Sequence, residues 1–183
     1  MYGQHLPLPA AELLLRKGLH ERQERDAVDY VAVSSAGLGC DDGWPVDPPV
    51  AELLRELQVA GGDGFRSRMV RSDIVLDADL VLIATRRHRF HTGEHWPAAY
   101  RHTFTLGEAA ELLQQAELSA LPASPYQRGC ALVDWLTDER SARQISDGSD
   151  LADPHSRRAA DYRDMMQRLV PMTETILGAL APH

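Results

Sequence analysis

A chain of 183 residues with a formal charge of −8 is long enough for one domain with a substantial core, and too acidic for a dedicated nucleic-acid binder. No apolar run approaches the roughly 18 residues of a membrane span, and the opening residues lack the pattern of a secretory leader. Cys40 and Cys130 form no metal or redox motif. The expectation is a single domain over residues 1–183, cytoplasmic, with free thiols and no cofactor. Arginine outnumbers lysine 18 to 1, a bias associated with GC-rich bacterial genomes.

The periodicity predicts a helix over 9–25, with Pro9 at its first turn, where a missing N–H costs nothing. The β-branched run 30–37, stopped by Gly37, reads as a strand. A long Gly/Pro/Asp loop follows, and then an amphipathic helix over 50–58. Residues 69–77 read as a helical turn or two, capped by Ser72 or Asp73. The near-continuous apolar run 78–85 is the mark of a parallel strand buried on both faces. The stretch 86–100 reads as helical and then irregular, with Gly93 weakening the helix. A short strand at 102–105 leads into the helix 106–118. Helices are predicted again over 126–141 and 156–180. Strands alternating with helices predict an α/β fold with a parallel sheet, whose ligands bind at the carboxyl ends of the strands.

The ordered set "VSSAG" (33–37), "FRSRMV" (65–70), "ADLVLIATRRHR" (78–89), "FTLGEAAELL" (104–113) and "DLADPHSRRAADYRDMMQRL" (150–169) resembles the low-molecular-weight protein tyrosine phosphatase family. The resemblance implies a three-layer parallel sheet. It also implies a first strand running into a Cys-x5-Arg-Ser/Thr-Pro loop, whose proline opens the helix. "PAAELLLR" (9–16) is similar to that helix start, with Pro9 in the place of the motif proline. Counting back, Leu8 falls on the Ser/Thr position, Pro7 on the arginine and Leu6 on an optional second cysteine. Gly3 and Gln4 fall on a Gly-Asn pair, and Met1 on the nucleophile. The first strand is then absent, so the sheet is reduced at its N-terminus. It either re-closes or keeps an exposed seam, and a homodimer is expected to cover such an edge.

Phosphatase chemistry by this loop needs a low-pKa thiolate, an arginine forked onto phosphate oxygens and consecutive backbone N–H donors. Met1, Pro7 and Pro9 supply none of these. Asp153 matches the family's general acid and can equally serve as a capping aspartate. His155 falls on an aromatic rim position, and an exposed surface histidine is the simpler reading. His5 is the titratable side chain left in the old loop, with Tyr2 and Gln4 beside it and Leu6 and Leu8 making it apolar. Cys40 and Trp44 sit in the loop after Ser35 and are candidate cleft residues, the first as a substitute nucleophile and the second as an aromatic wall. An unreactive loop thiol is the simpler reading of Cys40. Ser34 and Ser35 are expected to hold that loop by hydrogen bonds to backbone, and the arginines 66, 68 and 71 to be a solvated face. His88, His91 and His95 share a helical face, but no metal site is expected.

The functional expectation is therefore a phosphatase-fold protein that has lost tyrosine phosphatase chemistry and binds a small molecule or protein partner in the old cleft. One alternative is a cofactor-free acid–base enzyme, such as a dehydratase, isomerase or cyclase, using Asp153 and His5 on a small apolar metabolite. A third is a true phosphatase read from the wrong start. Neither nucleic acid nor membrane is an expected partner.

Overall fold

The structure is a computed structural model that describes residues 7–22, 31–142, 150–155 and 157–181. The first helix, α1 (Pro7–Arg22), starts with two prolines in its opening turn and buries Ala10, Leu13, Leu15 and Leu19. Its main neighbour is the last helix, α7 (Ala159–Leu180), which buries Met165, Leu169, Ile176 and Leu177. The two approach closely because α1 offers Gly18. A Cβ there would lie 2.3 Å from Leu177 Cδ1. An ion pair between Arg22 and Glu174, 2.8 Å apart, closes the far end.

Between these helices run α2 (Pro48–Glu56) and the short α3 (Ser72–Leu76). Strand β1 (Val81–Ile83), α4 (Arg86–His95) and strand β2 (Thr103–Thr105) follow. Last come α5 (Leu106–Leu113) and α6 (Pro125–Ala142). The expected cap of α3 is not made. Its N-cap position is Arg71, and neither Ser72 nor Asp73 bonds the first turn. Helix α4 runs on through Gly93 to His95. That glycine lets Tyr100 lie against the helix, since a Cβ would meet its Cδ2 at 2.9 Å. Helix α5 stops at Leu113, five residues short of the sequence reading, and a turn and a 3₁₀ segment at Leu118–Ala120 take over.

The fold is α/β with a parallel sheet, as expected. β1 and β2 pair in parallel, with Val81 opposite Thr103 and Ile83 opposite Thr105. Each strand hands directly to a capped helix. Thr85 accepts from the His88 N–H at the start of α4, and Thr105 with Glu108 forms a reciprocal capping box on α5. Behind β2 the core is closed, with Phe104, Leu106, Leu112, Leu132, Leu136 and Leu169 all almost fully buried.

The opposite edge of β1 differs from expectation. Among the described residues, the run read as a strand over 30–37 joins no ladder. Residues 31–36 form no strand, and just after them a parallel bridge joins Gly37 to Met69. A slot of about 440 Å³ separates this segment from β1. Val31 and Val33 line one edge, Leu80 and Leu82 the other, and Leu15 of α1 and Ile176 of α7 contribute to it. Among the described residues the sheet has not re-closed, and Val81 and Leu82 are half-buried rather than enclosed on both faces.

Candidate functional site at the carboxyl ends of the strands

Four pieces meet where the parallel strands end: the first turn of α1, the loop 37–47, the turn after β1, and the segment 150–155. Their connections explain why these local sequences converge. Glu12, almost fully buried one turn into α1, accepts from the Ser35 N–H at 2.8 Å and from Ser35 Oγ at 2.6 Å. Its other oxygen accepts from Arg16 at 3.0 Å. A carboxylate with three donors is stable inside the protein, and here it ties α1 to the Ser-Ser-Ala-Gly turn.

The loop 37–47 is stitched to residues 65–69. Ser67 Oγ donates to the Asp41 carbonyl at 2.6 Å and accepts from the Trp44 N–H at 3.0 Å. The Met69 N–H donates to Asp42 Oδ1 at 2.6 Å. On the other side, Leu151 N–H donates to the Ala84 carbonyl at 2.8 Å, and Arg86 N–H to Asp150 Oδ1 at 2.9 Å. These two bonds hold the Asp-Pro segment against the end of β1.

The predicted site residues fall unevenly on this frame. Asp153 is half-buried on the rim, and its Oδ1 accepts from the His155 N–H at 2.9 Å. That is the turn an aspartate makes two residues ahead. Asp153 is not the cap of α7, which begins at Ala159 with Arg158 and Asp161 in the capping positions. His155 is half-exposed, with Nδ1 3.5 Å from Asp47 Oδ2. Asp47 also accepts from Tyr162 at 3.5 Å. Trp44, in the loop 37–47, stands 59% exposed. Leu8 lies in the first turn of α1 and lines the slot. The expectations for Tyr2, Gln4, His5 and Leu6 lie outside the described residues, so the His5–Asp153 pairing has no geometry to report.

Cys40 is not placed as a nucleophile would be. Its thiol is almost fully buried and donates toward the carbonyls of Gly37, at 3.6 Å, and Arg68, at 3.2 Å. Burial pushes its pKa up, with Asp42 and Asp41 adding to the shift against two lowering backbone contacts. Ser35 does hold the loop, but through the Glu12 carboxylate rather than through backbone alone. Arg68 donates to the Ser35 carbonyl at 3.3 Å, and Arg71 sits 3.9 Å from Asp42, so part of the basic cluster braces the loop.

Sequence reasoning missed Glu12 and Asp47. A glutamate amid the apolar residues of α1 was a visible signal for the first, and an aspartate just before a Pro-Pro helix start for the second. The histidine face also splits. His88 turns to the slot, while His91, Glu94 and His95 converge on the surface with ligand atoms within 4.8 Å of one another. The His91 and His95 rings stack at 3.9 Å.

The arrangement defines a class: a parallel α/β domain with its site at the strand ends, between a Pro-opened helix and an Asp-Pro segment. No family model matches the chain. It is 28% identical over 120 residues to a protein of Ralstonia nicotianae named "Probable low molecular weight protein-tyrosine-phosphatase EpsP", which covers 66% of this chain and 70% of that one. A protein of the same name from Ralstonia solanacearum is 28% identical over 100 residues, covering 55% of this chain and 62% of that one. Among solved structures, the YwlE arginine phosphatase from Geobacillus stearothermophilus superposes with a TM-score of 0.66 at 21% identity, over 97% of this chain and 87% of that one. Vibrio vulnificus Wzb in complex with benzylphosphonate gives 0.62 at 17%, over 92% and 87%. The chain has the fold of the low-molecular-weight protein-tyrosine-phosphatases and is similar in sequence to proteins that carry that name.

Proposed function

We propose that the chain, as its sequence reads, is a phosphatase-fold protein that binds a small molecule or a protein partner at the strand ends and does not hydrolyse phosphotyrosine. The observation that carries this is the opening of α1. Pro7 and Pro9 are both buried in the first turn, where an anion cradle needs backbone N–H donors, and Pro7 occupies the position of the phosphate-gripping arginine. The buried, bonded Cys40 is no replacement for the nucleophile. Trp44 and the Asp47–His155–Asp153 rim remain to hold a ligand.

In this reading the open edge of β1 drives self-association, because an unpaired apolar strand edge recruits another chain. Light scattering is expected to return a dimer, and a clean monomer counts against it. The function itself is tested by p-nitrophenyl phosphate turnover of the purified chain beside Asp153→Ala. No turnover by either protein is expected. Turnover that falls in Asp153→Ala overturns the reading.

A further inference from the structure

We propose that the gene for this protein carries an intact phosphatase loop one base out of frame with the first eight residues, and that the strand leading into that loop fills the slot beside β1. This rests on the resemblance to that phosphatase family and not on the loss of activity argued above.

The genetic code limits what the neighbouring frame can say. A start codon for Met1, whether ATG, GTG or TTG, ends in TG and every tyrosine codon begins TA, so reading from the second base gives TGT, a cysteine, with no alternative. Tyr2 and Gly3 then allow threonine or methionine. Gly3 and Gln4 allow glycine, and Gln4 and His5 allow only asparagine or serine. His5 and Leu6 allow only isoleucine or threonine. Leu6 with Pro7 allows cysteine, Pro7 with Leu8 allows arginine, and Leu8 with Pro9 allows serine. The shifted frame can therefore read Cys-Thr-Gly-Asn-Ile-Cys-Arg-Ser, followed by Pro9. Every fixed position of the Cys-x5-Arg-Ser/Thr-Pro loop is met, and its cysteine is compulsory. With Leu8 encoded as CTC, the two frames rejoin in a run of cytosines at the Leu8–Pro9 boundary. One added cytosine carries the loop into α1 with its register unchanged.

The fold supplies the independent observation. The slot has residues 31–36 on one edge and β1 on the other. Leu15 and Ile176 reach it from α1 and α7, and Ile74 and Val133 from α3 and α6. Such a seat takes an apolar parallel strand of about five residues, buried on both faces. Leu8, at the start of α1, lines the same slot, so a strand there lies beside the helix it must run into. In the restored chain the thiolate attacks the phosphorus of a phosphomonoester. The S–P bond forms as the P–O bond breaks, and Asp153 protonates the leaving oxygen. Water then attacks phosphorus and gives its proton to Asp153, the S–P bond breaks, and inorganic phosphate leaves with the thiolate regenerated.

The first test reads the nucleotides. An apolar run of strand length, ending at the TGT in that frame, is expected, and a stop codon or a polar stretch there overturns the proposal. The second test compares three proteins. One is the chain as read. The next carries Met1→Cys, Tyr2→Thr, Gln4→Asn, His5→Ile, Leu6→Cys, Pro7→Arg and Leu8→Ser behind the residues the same frame encodes upstream. The third is identical except for Met1→Ser. The restored protein is expected to hydrolyse p-nitrophenyl phosphate orders of magnitude faster than either other protein, as a monomer. Its Val33 and Leu82 amides should exchange more slowly than those of the chain as read. A folded restored protein without turnover, one no faster than the chain as read, or unchanged exchange at those amides overturns it. Should the restored protein not fold in the expression host, the intact mass of the protein from its own cells decides between the two readings. A distinct failure, turnover by the chain as read alone, would instead overturn the proposed function.

Discussion

Two sides of β1 were built from similar residues and ended differently. Toward β2, Phe104, Leu106 and Leu136 are enclosed by α5, α6 and α7 with no exposure to speak of. Toward residues 31–36, the equally apolar Val31, Val33, Leu80 and Leu82 stay half-buried around a slot. The difference lies in the partners and not in the side chains. A parallel strand is stabilised by ladders on both edges and helices on both faces, and among the described residues no strand pairs with β1 on the slot side.

The sharpest way to break this contrast is to truncate both sides. Phe104→Ala should cost about 3–5 kcal/mol in denaturant unfolding, because it empties a close-packed site. Leu82→Ala should cost less than about 1.5 kcal/mol, since part of its surface already faces open space. Equal losses would mean the slot is closed in solution.

Next in size is Glu12→Ala. It leaves the Ser35 N–H and hydroxyl without their acceptor and should cost roughly 1–3 kcal/mol in thermal unfolding. Gly18→Val, which drives a side chain into Leu177, should cost about 1–3 kcal/mol by the same measurement.

The smallest effect is chemical. Exposed Cys130 should react with a thiol reagent at once, and Cys40 only on unfolding or at high pH. Because the folded pKa of Cys40 is raised above 9.0, the folded state holds that proton more tightly than the unfolded chain. The stability this contributes is fully present below about pH 9 and is lost as pH rises through the folded value. Fast native-state labelling of Cys40 near pH 7 would show the loop 37–47 to be open.

The helices were legible because their signals are local. Thr105 and Glu108 announce α5 three residues apart, and two prolines announce α1. The slot was legible only as a choice between two outcomes, since pairing depends on what lies alongside and not on the β-branched run itself. Glu12 and Asp47 were missed for the same reason. Each is defined by a partner far along the chain, Ser35 for one and His155 for the other. Asp153 was read from its neighbours in sequence, and the turn it makes with the His155 N–H is local as well.

The packing of α1 on α7 sets the order of events during synthesis. The Arg22–Glu174 pair joins residues 152 apart, so the apolar face of the first helix has no seat until nearly the whole chain has emerged. At about 5–20 residues per second, that wait is on the order of ten seconds. Through that interval the nascent chain exposes Leu13, Leu15 and Leu19 to whatever surrounds the ribosome. The last helix translated therefore determines when the first one is safe from aggregation.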